Sequence, residues 1–186
     1  MLSSTFQKLS KSSEKKLLFL AITTFMLAGS CMLYFDRFLK TDFAPNKIIS
    51  FELSSTLKCS QDILMSWQKK EGALQAAEWS LWFDYIFIIT YVMFLSLLIH
   101  LVRKHVADNS TALAYRLGTV LIGMTMFAGF LDMVENFALL QLFYGDLQKH
   151  WTLLAFATAS IKFMHIGLGL LYVVIGFGVI LLKKIK

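Results

Sequence analysis

The stretch LGTVLIGMTMFAGFLDMVENFALLQL, residues 117–142, decides the fold. It exceeds the about 20 residues that a helix needs to cross a hydrocarbon core, holds no proline, and carries only Asp132 and Glu135 as charges. Apolar and polar residues do not alternate along it, as a membrane barrel strand would require. Three further stretches read the same way. Residues 17–35 hold no charge; residues 79–102 are interrupted by Asp84 and, near the end, His100; residues 151–182 carry Lys162 and His165. The pattern predicts an all-α integral membrane four-helix bundle, a single membrane domain over 1–186, with spans over about 17–38, 79–102, 113–143 and 151–182.

Composition points the same way. Of 186 residues, 57% are hydrophobic and 16% charged, with 17 Phe, 9 Met and 1 Pro, and the mean hydropathy is +0.63. A soluble domain carries about 25% charged residues. A disordered chain is excluded on these grounds, and a soluble globule is not expected. A nucleic-acid partner is not expected either, because most of the +6 net charge falls at membrane edges. Two Cys cannot build a disulfide framework.

Direction follows from basic residues. The amino-terminal segment, the connection between the second and third spans, and the tail hold 10 Lys and Arg against 2 acids; the opposite side holds 7 against 7. Both termini are therefore expected in the cytoplasm. The bacterial cytoplasmic membrane is the preferred location, with the endoplasmic reticulum as the alternative, because Lys183-Lys184-Ile185-Lys186 resembles a dilysine retrieval signal. The simpler reading of that tail is an interfacial anchor on anionic lipid. Leu27-Ala28-Gly29-Ser30-Cys31 has the form of a lipoprotein cleavage box. Since the apolar run continues through Phe35, the expectation is an uncleaved helix with Cys31 as a packed residue. The sequon Asn109-Ser110-Thr111 would lie in the cytoplasm, unused.

The first connection is the one sizeable segment outside the bilayer. Ile49, Leu53, Leu57, Ser60, Leu64 and Trp67 recur at three- and four-residue intervals, which predicts an amphipathic extracytoplasmic helix over about 47–70. It would lie on the membrane or cap the bundle. Cys59 falls on it, and a bridge to Cys31 is not expected because Cys31 lies in the hydrocarbon. His100 and His105 are read as interfacial, and His150 as a loop residue.

Charges inside spans usually face the protein interior or a wet cavity. At about 1.5 Å per helical residue, Asp84, Asp132, Glu135, Lys162 and His165 all lie about 24–32 Å from the nearest cytoplasmic anchors. Asp36 and Arg37 reach the same level, where the start of water explains them. It explains the others poorly, since apolar sequence continues beyond each. The candidate ligand- or ion-binding residues are therefore Asp84, Asp132, Glu135, Asn136, Lys162 and His165. Lys162 is expected to pair with Asp132 or Glu135, leaving Asp84 near Tyr85, Tyr91 or His165. The three carboxylates exceed the one ammonium, and an inward cluster must relieve that excess by protonation, a bound cation or water.

Three functions remain open at this point. The layer binds a cation, a proton or a small polar ligand, and for transport so small a chain would be expected to form a homo-oligomer. Alternatively it is a membrane-embedded enzyme acting on a lipid headgroup, with an acid and His165 as general base and partner. In the third, it is a structural or accessory subunit whose polar layer fixes helix packing. No HExxH, CxxC or GxSxG is present, so the signal for catalysis is weak. Lys162 beside the acids favours an ion pair over a divalent metal held by carboxylates and His165, so no metal site is read. The expected partners are the lipid bilayer and a small polar ligand or lipid headgroup.

Overall fold

Helices account for all the regular structure in the computed structural model, which describes residues 10–107 and 112–185, without the side chains at 11, 106, 107, 112 and 183–185. In chain order they are α1 (Lys11–Asp36), α2 (Ile48–Glu52), α3 (Leu57–Gln68), α4 (Ala73–Ala107), α5 (Ala112–Phe143) and α6 (Lys149–Ile185). Among the described residues there is no strand. The sequon and the side chains of the Lys183-Lys184-Ile185-Lys186 tail lie outside the described residues.

Local chemistry sets the ends. Ser10 caps α1 by accepting from the Ser13 amide at 3.1 Å, which satisfies an otherwise orphaned donor of the first turn. Between α3 and α4 the chain reverses through Gly72 at φ 72°, a left-handed conformation that a side chain would penalise. Gly145 at φ 98° does the same after α5. Beyond it, the Trp151 indole and the Gln148 amide both donate to the Asp146 carboxylate at 2.7 Å, and these bonds hold that carboxyl below its ordinary range.

Four helices, α1, α4, α5 and α6, are long and apolar enough to cross a membrane. They form the four-helix bundle of a multi-pass membrane protein. α4 packs on α5 and α5 on α6, α4 also touches α6, and α1 rests on α4. Gly129 lets α5 approach Val92 of α4, where a Cβ would come within 2.6 Å of the valine methyl, and Gly176 lets α6 approach Val102. Close helix contact in lipid relies on such small residues. Phe19, Met26, Phe130, Val174 and Ile175 stay exposed on the outer faces, where lipid replaces water as solvent.

α4, α5 and α6 hold 35, 32 and 37 residues, or about 48–55 Å at 1.5 Å per residue. That exceeds the about 30 Å hydrocarbon thickness. Their excess length is covered at one end by α2 and α3. Leu39, Phe51, Ile63, Trp67, Leu81, Leu139 and Leu142 make a buried core there. The Trp67 ring meets Phe51 edge to face at 5.5 Å, and its indole N–H donates to the Leu39 carbonyl at 2.8 Å.

The single amphipathic helix expected over 47–70 is two helices. Ser54 donates to the Phe51 carbonyl at 2.8 Å, and Thr56 accepts from the Cys59 amide at 3.2 Å as the cap of a new helix. Serine and threonine compete with backbone bonding in this way. The break shifts the buried face. In α3, Ser60, Leu64 and Trp67 are buried as the spacing implies, but Ile49 and Leu53 are exposed and Phe51 and Glu52 are buried instead. Cys31 also departs from expectation: it is an exposed free thiol on α1 rather than a packed one, and Cys59 is likewise free and exposed. His150 belongs to the first turn of α6, not to a loop.

Candidate functional site

Asp132, Glu135 and Asn136 lie three and four residues apart on α5, so one helix face carries all three inward. All are buried, and so is Lys162 of α6, with 4% exposure. The Lys162 Nζ donates to Asp132 Oδ1 at 2.6 Å and to Glu135 Oε1 at 3.0 Å, so it meets both carboxylates rather than one. Glu135 Oε2 lies 2.9 Å from the same nitrogen. The second oxygen of Asp132 accepts from the Tyr91 hydroxyl of α4 at 3.0 Å. Asp84, one helix over, accepts from the Asn136 amide. Five of the six residues singled out from sequence thus fall into two bonded groups, Asp132, Glu135 and Lys162 in one and Asp84 and Asn136 in the other.

His165 is the exception. Its Nδ1–H donates to the Ile161 carbonyl at 2.8 Å, and its ring sits edge-on to Phe127 at 6.0 Å. A three-residue step from Lys162 turns it 60° away from the lysine, onto the side that faces α5. The four-residue step, Ile166, faces the cavity described next.

Two carboxylates enter that the spans did not announce. Glu52 of α2 reaches down to Lys162, with Oε2 at 3.5 Å. Burial pushes its carboxyl above the ordinary range, against the opposing pull of the Lys162 ammonium. Asp36, which the water boundary explains from sequence, lines the same cavity and keeps one oxygen, Oδ1, buried without a hydrogen-bond partner. Its neighbour Arg37 turns away to stack over the Tyr34 ring at 4.0 Å. The only sequence signal for Asp36 was its height, matched across the bundle by Asp84; Phe35 and Phe83, the residues before them, meet edge to face at 6.0 Å.

The cavity holds about 340 Å³. It lies between α1 and α6 with α4 behind it, and α2 closes its end through Ile48, Ile49 and Glu52. Its charged lining is Asp36, Glu52, Asp84 and Asp132 against Lys162 alone; its other walls are aromatic and aliphatic. Chemically, this end can receive hydrogen-bond donors and positive charge. The carboxylates converge on an ammonium, and among the described residues no group of three or more His, Cys, Asp and Glu is placed to hold a metal ion.

A second polar network occupies the opposite end of the bundle. Lys104 and His100 of α4 approach Glu14 of α1 at 2.7 and 3.5 Å. Arg103 donates to His100 Nδ1 at 2.9 Å and to the Thr119 hydroxyl at 3.0 Å. His100 and Arg103 are both buried against the protein at this end of the bundle. Compared with known proteins, the chain matches no family model, no curated sequence and no solved structure.

Proposed function

We propose that this multi-pass membrane protein is a ligand-binding protein whose cavity receives a positively charged group at Asp36, Glu52, Asp84 and Asp132. In this reading the capped end faces outward and both termini are cytoplasmic, in a bacterial cytoplasmic membrane. One observation carries it: four carboxylates and one ammonium line a single cavity with apolar walls. Charges in a span are costly unless paired or hydrated. Lys162 is already engaged by Asp132, Glu135 and Glu52, and Lys47, outside the lining, is a second ammonium that acts on Asp36. Two ammonium groups against these five carboxylates leave a negative surplus at Asp36 and Asp84 for a cation. Glu135 and Asn136 hold Lys162 and Asp84 in position. A purely structural network accounts for the Lys162 contacts but gives Asp36 and Asp84 no reason to border a cavity. An acid–base enzyme loses its partner, since His165 stands outside the network.

Ligand-dependent stability tests this. A ligand that binds the folded state alone raises stability, by about 2.7 kcal/mol at a hundredfold excess over its Kd. The purified protein would be heated in detergent with methylammonium, ethanolamine and decylamine. At least one should raise Tm near neutral pH, with the rise shrinking as carboxylates are protonated in acid. Asp84→Asn and Asp36→Asn should each reduce it. If none of the three cations shifts Tm, or the Asn variants respond as the wild type does, the reading is wrong.

A further inference from the structure

The three helices around the cavity repeat one order along their length. On α4, Asp84 is followed on the same side by Phe87, Tyr91 and Leu95. On α6, Lys162 is followed by Ile166 and Leu170, and on α1, which runs the other way, Asp36 is preceded by Met32 and Phe25. In each case the charge stands at the capped end, and the apolar wall runs from it for 8 to 11 residues, or about 12–16 Å. The cavity is therefore a slot, polar at one end and apolar along the rest. Phe25 stacks on Phe94 at 4.8 Å and on Phe87 at 5.6 Å, forming a continuous aromatic wall.

The slot is also open sideways. α1 rests on α4, α6 packs on α5 and α4, and no comparable packing joins α1 to α6 among the described residues. Along this seam Phe163 and Leu170 are exposed. A ligand in the bilayer has direct access there, whereas α2 stands over the polar end.

We infer that the ligand is a single-chain amphiphile with an amine head, entering from the bilayer between α1 and α6 and seating its ammonium among Asp36, Glu52 and Asp84. The inference rests on the cation-binding reading above and adds the chain to it. A fully extended chain advances about 1.2 Å per bond, so the apolar wall accommodates about ten to thirteen carbons. The unpartnered Asp36 Oδ1 supplies an acceptor at the head position. Apolar burial along the wall contributes about 0.8 kcal/mol per methylene, which favours a long chain over a bare cation.

The test compares decylamine, decanol and methylammonium by native mass spectrometry of the full-length protein and by Tm, alongside Leu170→Trp. Leu170 is 48% exposed at the seam, so a larger side chain fills the slot without entering the bundle core; Ile166→Phe serves if that variant does not fold. Decylamine should bind at least about tenfold more tightly than either of the others, a difference of about 1.4 kcal/mol. Leu170→Trp should lower decylamine affinity by a similar factor and leave any response to methylammonium unchanged. Methylammonium binding as tightly as decylamine, with no effect of Leu170→Trp, would overturn the chain while leaving the cation site standing. Decanol binding as tightly as decylamine would overturn the amine head. Binding of none of the three would remove both readings.

Discussion

Lys162 is the residue on which the polar network depends, because three carboxylates approach its single ammonium within 3.5 Å. Removing one partner of a buried ion pair leaves uncompensated charge and costs about 3–5 kcal/mol. Lys162→Met preserves most of the volume and should lower stability by that amount, read as a fall in Tm in detergent. In that background Asp132→Asn should recover part of the loss, with a coupling of about 1–3 kcal/mol between the two sites; strictly additive effects would contradict direct contact. Glu52 behaves in the opposite sense. Burial raises its carboxyl above the ordinary range, so the folded protein holds this proton more tightly than the unfolded chain. Stability then falls as pH climbs from about 4.3 through the folded-state value. Glu52→Gln removes that loss, and unfolding curves should show a stabilised variant at neutral pH whose advantage fades toward pH 4. A gain of the same size at every pH would assign the effect to something other than this proton. The contact of Lys162 with α5 was legible from sequence, since hydrocarbon leaves an isolated lysine few alternatives. Glu52 was not. It lies outside the spans among ordinary loop charges, and only the fold of the cap carries it to the lysine.

The cap itself is held as a unit by Trp67, which is fully buried, packed edge to face against Phe51 and bonded to the Leu39 carbonyl. Truncating a buried tryptophan costs about 3–5 kcal/mol, and here most of it falls on α2 and α3. Trp67→Ala should increase amide hydrogen exchange across residues 48–68 and expose Lys69 and Lys70 to trypsin. The middle of α5, packed between α4 and α6, should stay protected. Uniform loss of protection across the whole chain would mean that cap and bundle unfold together. The long helices were legible because a run of apolar residues without proline has one way to satisfy its backbone in lipid. Their excess length was legible less directly, from apolar sequence continuing past Asp84, Glu135 and Lys162. The break at residues 53–56 was hidden, because a periodic apolar pattern reads through Ser54 and Thr56 as if the helix continued. That local competition for backbone bonds decides which side of α2 faces the bundle, and therefore that Glu52 points inward while Ile49 borders the cavity mouth.

At the scale of the whole molecule, the proposal depends on which end of the bundle meets the outside. The basic residues of the second connection, Arg103, Lys104 and Arg116, stand at the uncapped end with Lys15 and Lys16 of α1. The proposed orientation keeps such residues in the cytoplasm and so puts the cap outside. The chain carries its own reporter of this. Cys59 is exposed on α3 at the capped end, while Cys31 is exposed on α1 five residues before Asp36, within the charge-free stretch 17–35, where lipid keeps a water-soluble maleimide away. A membrane-impermeant maleimide applied to intact cells should therefore label the wild type and Cys31→Ser equally and leave Cys59→Ser unlabelled. Labelling of Cys59 only after the membrane is opened would invert the protein. The carboxylate end of the slot would then lie toward the inner leaflet, and an amphiphile would have to arrive from that leaflet with its head group on the cytoplasmic side. The geometry between α1 and α6 would be unchanged, so the decylamine measurement and the maleimide measurement answer separate questions. Together they fix both what the slot holds and the leaflet from which it is filled.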